Sequence, residues 1–411
     1  MTVSTIILAA GKGTRMKSPT PKILHKIAGK QLIAFSVDLA KAVKSKETII
    51  VVGKDTEKAT RKTLLDDKVK FCLQENQLGT GDAVKIAFKN LKIRSKYTLI
   101  LYGDTPFIAK GTIKRMIAKA DKGFDFVFLG FQSLTKNSYG KFKTGPKKML
   151  IDIIEKNEPG YNTSESLSNS GILLARTNIA TDVVQKIKND NAKQEYYLTD
   201  IVKIAAEGGY SSTYVQCEED ECIGVNSQLE LSVAERKFQD DFRKKLMASG
   251  VSMPSPETCF FSHDTVIKSG CVIEPNVVFG TGVEIRNSTT IKSYSYIEET
   301  QIGRHCQIGP FARLRPGTNL LDEVKVGNFV EIKNSTLATD TKVNHLSYVG
   351  DAKVGTKTNI GAGTIFCNYD GKNKHRTIVG DNVFIGSNVS LIAPLKIDNA
   401  SIVAAGSAIN R

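Results

Sequence analysis

Two groups of residues in this 411-residue chain have types and spacings suited to chemistry. The first opens at the N-terminus, where a β-branched run gives way to Leu8-Ala9-Ala10-Gly11-Lys12-Gly13-Thr14-Arg15-Met16. Glycines at 11 and 13 let backbone amides approach phosphate oxygens, and Lys12, Arg15 and, after Pro21, Lys22 add cationic donors. The spacing is not that of a Walker loop, and no third glycine opens a helix as in a dinucleotide fingerprint, so the turn alone names no ligand. Further on, Tyr102-Gly103-Asp104 closes an apolar run. That places one carboxylate where a hard cation bridging phosphates would sit, although an Asp at a strand end serves equally as a turn or helix cap.

The second group surrounds His345. A lone histidine in a repeat is ordinarily a packing or surface residue, and this one stands out through its company. Arg315, Lys333, Tyr348 and Asn359 recur around it, and Arg315 and Lys333 are 18 residues apart. If three six-residue steps make one turn of a coil, the two cations stack on one wall. Lys374 lies in a segment, 367–376, that interrupts the six-residue pattern and is expected to leave one corner as a loop able to reach over them. Two or three cations beside an imidazole suit a sugar phosphate; the same loop is also compatible with a neutral surface excursion.

The elements that must carry these groups differ between the two halves. Up to about residue 226, short β-branched runs at 5–9, 48–52, 69–73, 97–102 and 124–131 alternate with helix-length amphipathic segments, the pattern of a Rossmann-like α/β domain with a largely parallel sheet. Ligands of such a domain gather at the carboxyl ends of the strands. Ser227 and Glu230 form a capping box, followed by Leu231, Ala234, Phe238, Phe242 and Leu246 at helical spacing up to Gly250, so one long helix is expected over 227–248. From 265 onward an aliphatic or aromatic residue recurs every sixth position: 267, 273, 279, 285, 291 and 297; then, after a slip, 302, 308, 314, 320, 326 and 332; later 379, 385, 391, 397, 403 and 409. No amphipathic helix has that period, whereas three short flat strands per turn of a triangular parallel β-helix do, giving about eight coils. The expected domains are therefore 1–226, a linker helix at 227–250, and a β-helix at 251–411.

Composition narrows the function classes. Seven cysteines with no C-x-x-C, and Cys217 and Cys222 without a second pair, read as reduced thiols and no zinc site. The apolar N-terminal run is too short for a signal or a membrane span, so a cytoplasmic protein without membrane association is expected. Of the net charge of +15, residues 1–250 hold 41 basic and 28 acidic residues, and the lysines are dispersed without interleaved aromatics. Nucleic acid is not an expected partner; small anionic substrates are.

In order and spacing, residues 8–16 with Pro21-Lys22, Gln74, Leu78-Gly79-Thr80-Gly81, Tyr102-Gly103-Asp104, Tyr139-Gly140, Glu155, Asn169, the run 195–200 and Gly224-Val225-Asn226 resemble the sugar-nucleotide pyrophosphorylases. With the hexapeptide half, the chain resembles over nearly its whole length the bacterial bifunctional N-acetylglucosamine-1-phosphate uridylyltransferase/glucosamine-1-phosphate N-acetyltransferase family. The resemblance implies a left-handed β-helix and a homotrimer built through it. It implies that Leu8, Ala9, Ala10, Gly11, Gln74, Gly79, Thr80, Tyr102 and Gly103 hold UTP, that Arg15 and Lys22 act along its triphosphate, that Asp104 and Asn226 hold Mg²⁺, and that Gly140, Glu155 and Asn169 bind N-acetylglucosamine-1-phosphate. In the second half it implies His345 as general base, oriented by Glu331. Arg315, Lys333, Tyr348, Asn359 and Lys374 would bind glucosamine-1-phosphate, and Ala362, Asn368, Tyr369, Ser387 and Ala405 acetyl-CoA. Family members continue past the position of Arg411 with further repeats and a tail, so the β-helix is expected to be short at its C-terminus. An alternative keeps only the uridylyltransferase and treats the β-helix as a structural trimerisation module; His345 and the 367–376 loop discriminate against it.

Overall fold

The computed structural model describes residues 2–90, 95–133, 137, 139–156, 158, 160–161, 167–191 and 194–410, so the final Arg411 lies outside the described residues. The chain divides into two compact units, Met1–Ala234 and Glu235–Arg411. The boundary falls inside the helix Gln228–Ala248, whose start is capped as expected on one side: the Glu230 amide donates to Ser227 Oγ at 3.2 Å. The reciprocal bond is displaced by one residue, Glu230 Oε2 accepting the Asn226 amide at 2.7 Å.

The first unit is built on one mixed sheet in the order Ser212–Cys217, Phe126–Phe131, Ser168–Arg176, Tyr97–Tyr102, Val3–Ala9, Thr48–Gly53, Lys70–Gln74. Fully buried aliphatic strands of this kind, covered by helices on both faces, are what parallel neighbours require. The registers Ala9↔Val52, Gly53↔Gln74 and Leu8↔Tyr102 bring the carboxyl ends of four strands to one edge. Ser168–Arg176 was not foreseen as a strand, because its opening Ser-Asn-Ser-Gly lacks a β-branched run. It lies antiparallel between Tyr97–Tyr102 and Phe126–Phe131, with a register break between Asn169 and Leu173. A hairpin, Lys141–Thr144 and Leu150–Ile154, joins it through Lys141↔Ser168.

The second unit is a left-handed parallel β-helix. Three eight-stranded parallel sheets form its walls, starting at Val266–Ile267, Val272–Ile273 and Val278–Phe279. The apolar positions expected from the hexads point inward and are buried, except Ile409, which is partly buried. Each coil takes 17 or 18 residues, as in Ile285, Ile302, Leu320, Leu337 and Val354 on the first wall, except the step from Val354 to Val379. The corners turn in the left-handed backbone region: Phe311, Phe329 and Leu346 mark the corner from second to third wall, and Asn334 and Asp351 the corner from third back to first. The amino end of the helix is closed by side chains. Phe242 packs on Phe261, which stacks on Phe279, and the buried Arg243 donates to the carbonyls of Pro256 and Cys259.

Candidate active sites

In the first unit the edge where the strands end opens a cavity of about 1600 Å³. Leu8, Ala9, Ala10, Gly11, Lys22, Gln74, Gly79, Thr80, Tyr102, Asp104, Gly140, Glu155, Asn169 and Asn226 all line it. Two expected residues do not: Gly103, and Arg15, which is exposed on the short turn Thr14–Met16. The segments separated in sequence are interlocked. The Tyr196 amide donates to the Leu78 carbonyl at 2.7 Å, and the Gly81 amide to the Tyr196 carbonyl at 2.8 Å. Gly79 sits at φ +107°, and a Cβ there would fall 2.6 Å from the Tyr196 carbonyl oxygen, so no other residue fits without moving that strap. The Gln74 amide is fixed by donating to the Gly79 carbonyl (3.1 Å) and Asp82 (2.6 Å).

At the centre, the Lys22 ammonium donates to Asp104 and, at 2.9 Å, to Asn226 Oδ1. Two oxygens from distant parts of the chain thus face one positive charge. Glu230 secures this arrangement from behind by holding the Asn226 amide. Burial, with Asp104 beside it, pushes the Tyr102 phenol well above its ordinary range and keeps it a neutral hydroxyl. On the far side Gly140, Glu155 and Asn169 meet: the Asn169 amide donates to the Gly140 carbonyl at 2.8 Å, and Glu155 Oε1 accepts from Thr199 at 3.1 Å. Asp200 also lines the cavity; burial, then Glu158, Asp190, Glu155 and Asp152, raise its pKa to about 6. Thr199, Asp200 and Gln77, whose Nε2 donates to the Ala10 carbonyl at 2.6 Å, had been given no role from sequence, although the first two lie in the quoted 195–200 run.

In the second unit the expected residues, Asn359 excepted, fall on two corners. Along the corner between second and third walls, backbone bonds run from Leu346 to Asn328, Gly363 to His345, Asn388 to Ala362 and Gly406 to Ser387, so His345, Ala362, Ser387 and Ala405 form one column. At the other corner Arg315 stands over Lys333, as their 18-residue spacing requires. The loop after Asn368 leaves from there and returns through Tyr369↔Lys374. The Lys333 ammonium next to Lys374 holds the latter below the usual lysine range. Tyr348 Oη and Asn368 Nδ2 are 3.4 Å apart at the same corner. Asn359 belongs to neither, lying on the second wall opposite Lys342 and Phe384. One expectation is corrected: Glu331 pairs with Arg315 at 2.7 Å, and the partner of His345 Nδ1 is Asn328 Oδ1 at 2.9 Å, on the facing residue of the preceding coil. With Asn328 Oδ1 as acceptor, a neutral imidazole carries its proton on Nδ1 and keeps its lone pair on Nε2.

Residues 5–145 match the model of the MobA-like NTP transferase domain. The whole chain is similar to the bifunctional protein GlmU of Bartonella quintana (strain Toulouse), 41% identical over 98% of this chain and 91% of that protein. It is 43% identical to the bifunctional protein GlmU of Bartonella bacilliformis, over 98% of this chain and 90% of the relative, and 43% identical to that of Wolbachia pipientis wMel, over 98% and 93%. With a nucleotidyltransferase unit and a β-helix in one polypeptide, the chain belongs to the GlmU family of bifunctional proteins.

Proposed function

We propose that this enzyme makes UDP-N-acetylglucosamine in two steps: acetyl-CoA-dependent N-acetylation of glucosamine-1-phosphate, then uridylyl transfer from UTP to N-acetylglucosamine-1-phosphate with release of pyrophosphate. The observation that carries the second step is the meeting of Lys22, Asp104 and Asn226 inside a cavity flanked by the glycine-rich turn on one side and Gly140, Glu155 and Asn169 on the other. The sugar phosphate oxygen attacks the α-phosphorus of UTP in line, so the protein supplies position and charge rather than a nucleophile. Leu8, Ala9, Ala10, Gly11, Gln74 and Thr80 hold the nucleotide, Lys22 neutralises phosphate charge, and Arg15 acts from the exposed turn. Asp104 and Asn226 present two oxygens to one cation, a donor set that fits Mg²⁺, which takes few protein ligands and completes its shell with phosphates and water. Bound there, Mg²⁺ would spread the negative charge of the triphosphate.

For acetyl transfer, His345 Nε2 takes the proton from the amine as it attacks the thioester carbonyl. Lys333, Lys374, Tyr348 and Arg315 bind the sugar phosphate; Ala362, Ser387 and Ala405, with Asn368 and Tyr369, receive acetyl-CoA, and Asn359 contributes from the second wall. Since His345 and the cations occupy different corners, the working site is completed by a second copy of the chain, with one copy's His345 corner beside the cation corner of the next in a homotrimer. The reading as a uridylyltransferase on a structural stalk is disfavoured, because a stalk needs neither the His345–Asn328 pair nor the cation corner. Among the described residues no helix is long and apolar enough to cross a membrane, and small soluble substrates agree with a cytoplasmic site of action that feeds cell-wall and lipopolysaccharide synthesis.

The test supplies UTP, Mg²⁺ and N-acetylglucosamine-1-phosphate in one assay and glucosamine-1-phosphate with acetyl-CoA in another. Pyrophosphate in the first and free thiol in the second are expected. Pyrophosphate without thiol leaves a monofunctional enzyme, and neither product overturns the proposal.

A further inference from the structure

We propose that Asp351 is a positioning residue for the sugar-phosphate site, fixing the direction in which hydrogen bonds run through Asn368 to Tyr348. The inference rests on the acetyl-transfer reading above and adds a residue that the motifs did not single out.

Asp351 turns the corner in the left-handed region (φ 51°) and is only 8% exposed. Asn334 Nδ2 donates to its Oδ1 at 2.6 Å, and Asn368 Nδ2 donates to its Oδ2. Burial pushes its pKa up, but the two amides and the Lys333 and Lys374 ammonium groups outweigh this and hold the carboxyl below its ordinary range. An ionised carboxylate only accepts, so Asn368 must turn its NH₂ toward Asp351. The second N–H of that NH₂ faces Tyr348 Oη, 3.4 Å away. A hydroxyl that accepts there keeps its own proton to donate, and Asn368 Oδ1 is left as an acceptor. The corner is thereby set to offer a ligand one O–H donor, one carbonyl acceptor and two ammonium groups in fixed order.

The packing leaves no slack for another arrangement. A Cβ at Gly350 would come within 2.4 Å of Tyr348 Oη and 2.7 Å of Asn368 Nδ2. The two lysines repel each other, as the depressed pKa of Lys374 reports. The nearby buried carboxylate offsets part of that repulsion, and a bound phosphate dianion would offset more. Donors and cations then meet phosphate oxygens, and the Asn368 carbonyl is left to accept from the acetyl-CoA assigned to Asn368 and Tyr369 above.

Two variants test this. Asp351→Asn keeps the shape but can present an N–H to Asn368 and turn it over. The KM for glucosamine-1-phosphate should rise at least about tenfold, the scale of one charge-assisted hydrogen bond. The kcat at saturation should change less than about threefold, since His345 is untouched, and uridylyl transfer should be unaltered. The exchange Asp351→Asn with Asn368→Asp restores a donor–acceptor pair and the total charge with the polarity reversed. It should recover the thermal midpoint while leaving KM raised. An unchanged KM in Asp351→Asn, or a KM that recovers with the thermal midpoint in the exchange, overturns the proposal. Calorimetric Kd values for glucosamine-1-phosphate should follow the same order in all three proteins. If the parent enzyme neither releases thiol nor binds glucosamine-1-phosphate, the acetyl-transfer reading itself fails. Parent turnover with an indifferent Asp351→Asn removes only the role of Asp351.

Discussion

The proposed uridylyl cavity and the proposed acetyl-transfer corners are assembled by opposite strategies. In the α/β unit, strand ends and connecting segments from residue 8 to residue 226 converge on one edge and enclose a space within a single chain. In the β-helix, residues 17 or 18 apart are forced into straight columns on a convex prism, so one chain can line up groups but cannot surround a ligand with them. A doubly wound sheet concentrates chemistry where its strands end. A solenoid distributes chemistry along its corners, and in the proposed trimer a second copy closes the site.

The largest effect that separates the two regions is expected from His345→Ala. Loss of the general base should lower acetyl transfer by about 10²- to 10⁴-fold while pyrophosphate release stays at its parent rate. Loss of both activities would show that the sites are not independent. Asp104→Ala should do the reverse, reducing uridylyl transfer by at least about a hundredfold, the scale for removing one preorganised electrostatic group, with thiol release untouched.

A smaller and more pointed effect comes from co-assembling His345→Ala and Lys333→Ala chains, each inactive in acetyl transfer alone. If every site joins the His345 corner of one copy to the cation corner of the next, random trimers should recover about one quarter of the parent activity. No recovery would mean that both corners serve within one chain, and the contrast between the two regions would collapse. The smallest effect concerns pH. Asp200 has a folded pKa of about 6 against an ordinary 3.8, so the folded state favours its protonated form. Its contribution to stability is therefore fullest below about 3.8 and is lost as pH rises through about 6. Asp200→Asn should flatten the thermal midpoint between pH 4 and pH 7 and raise it at pH 7. A parallel, undisplaced pH profile would show that Asp200 titrates normally.

Much of this was legible because both halves have strong periodic signals. Buried β-branched runs marked five strands but not the parallel Ser212–Cys217, and the six-residue period marked inward positions at 267–332 and 379–409 but not Leu337, Val343, Val349, Val354, Ile360 and Phe366 between them. The Arg315–Lys333 stack followed from counting alone. What escaped has physical reasons. The strand Ser168–Arg176 opens with small polar residues and is held by its neighbours, not by propensity. The exchange of partners, Glu331 to Arg315 and Asn328 to His345, depends on which wall each side chain leaves: Asn328 faces His345 on the second wall, and Glu331 lies past the Phe329 corner on the third. The exposure of Arg15, expected along the triphosphate from its charge and from the resemblance, was not legible either; it stands on the turn Thr14–Met16 between the left-handed residues Gly13 and Lys17. Asp351 carries no motif at all, and its importance lies in two amide partners, Asn334 and Asn368, drawn from the coils on either side of it.

The one long step of the β-helix, from Val354 to Val379, has a consequence for how such a protein can change. Eight additional residues relative to a 17-residue coil enter at a single corner, yet Ala352↔Thr377, Lys353↔Ile378 and Val354↔Val379 pair on the first wall in unbroken register. Because each coil answers only to the one above and the one below, sequence length can be added at that corner without disturbing the rest of the stack. The scaffold behaves as a rack into which a recognition element can be lengthened, shortened or replaced by small steps, while the acetylation chemistry on the adjoining corner keeps its place.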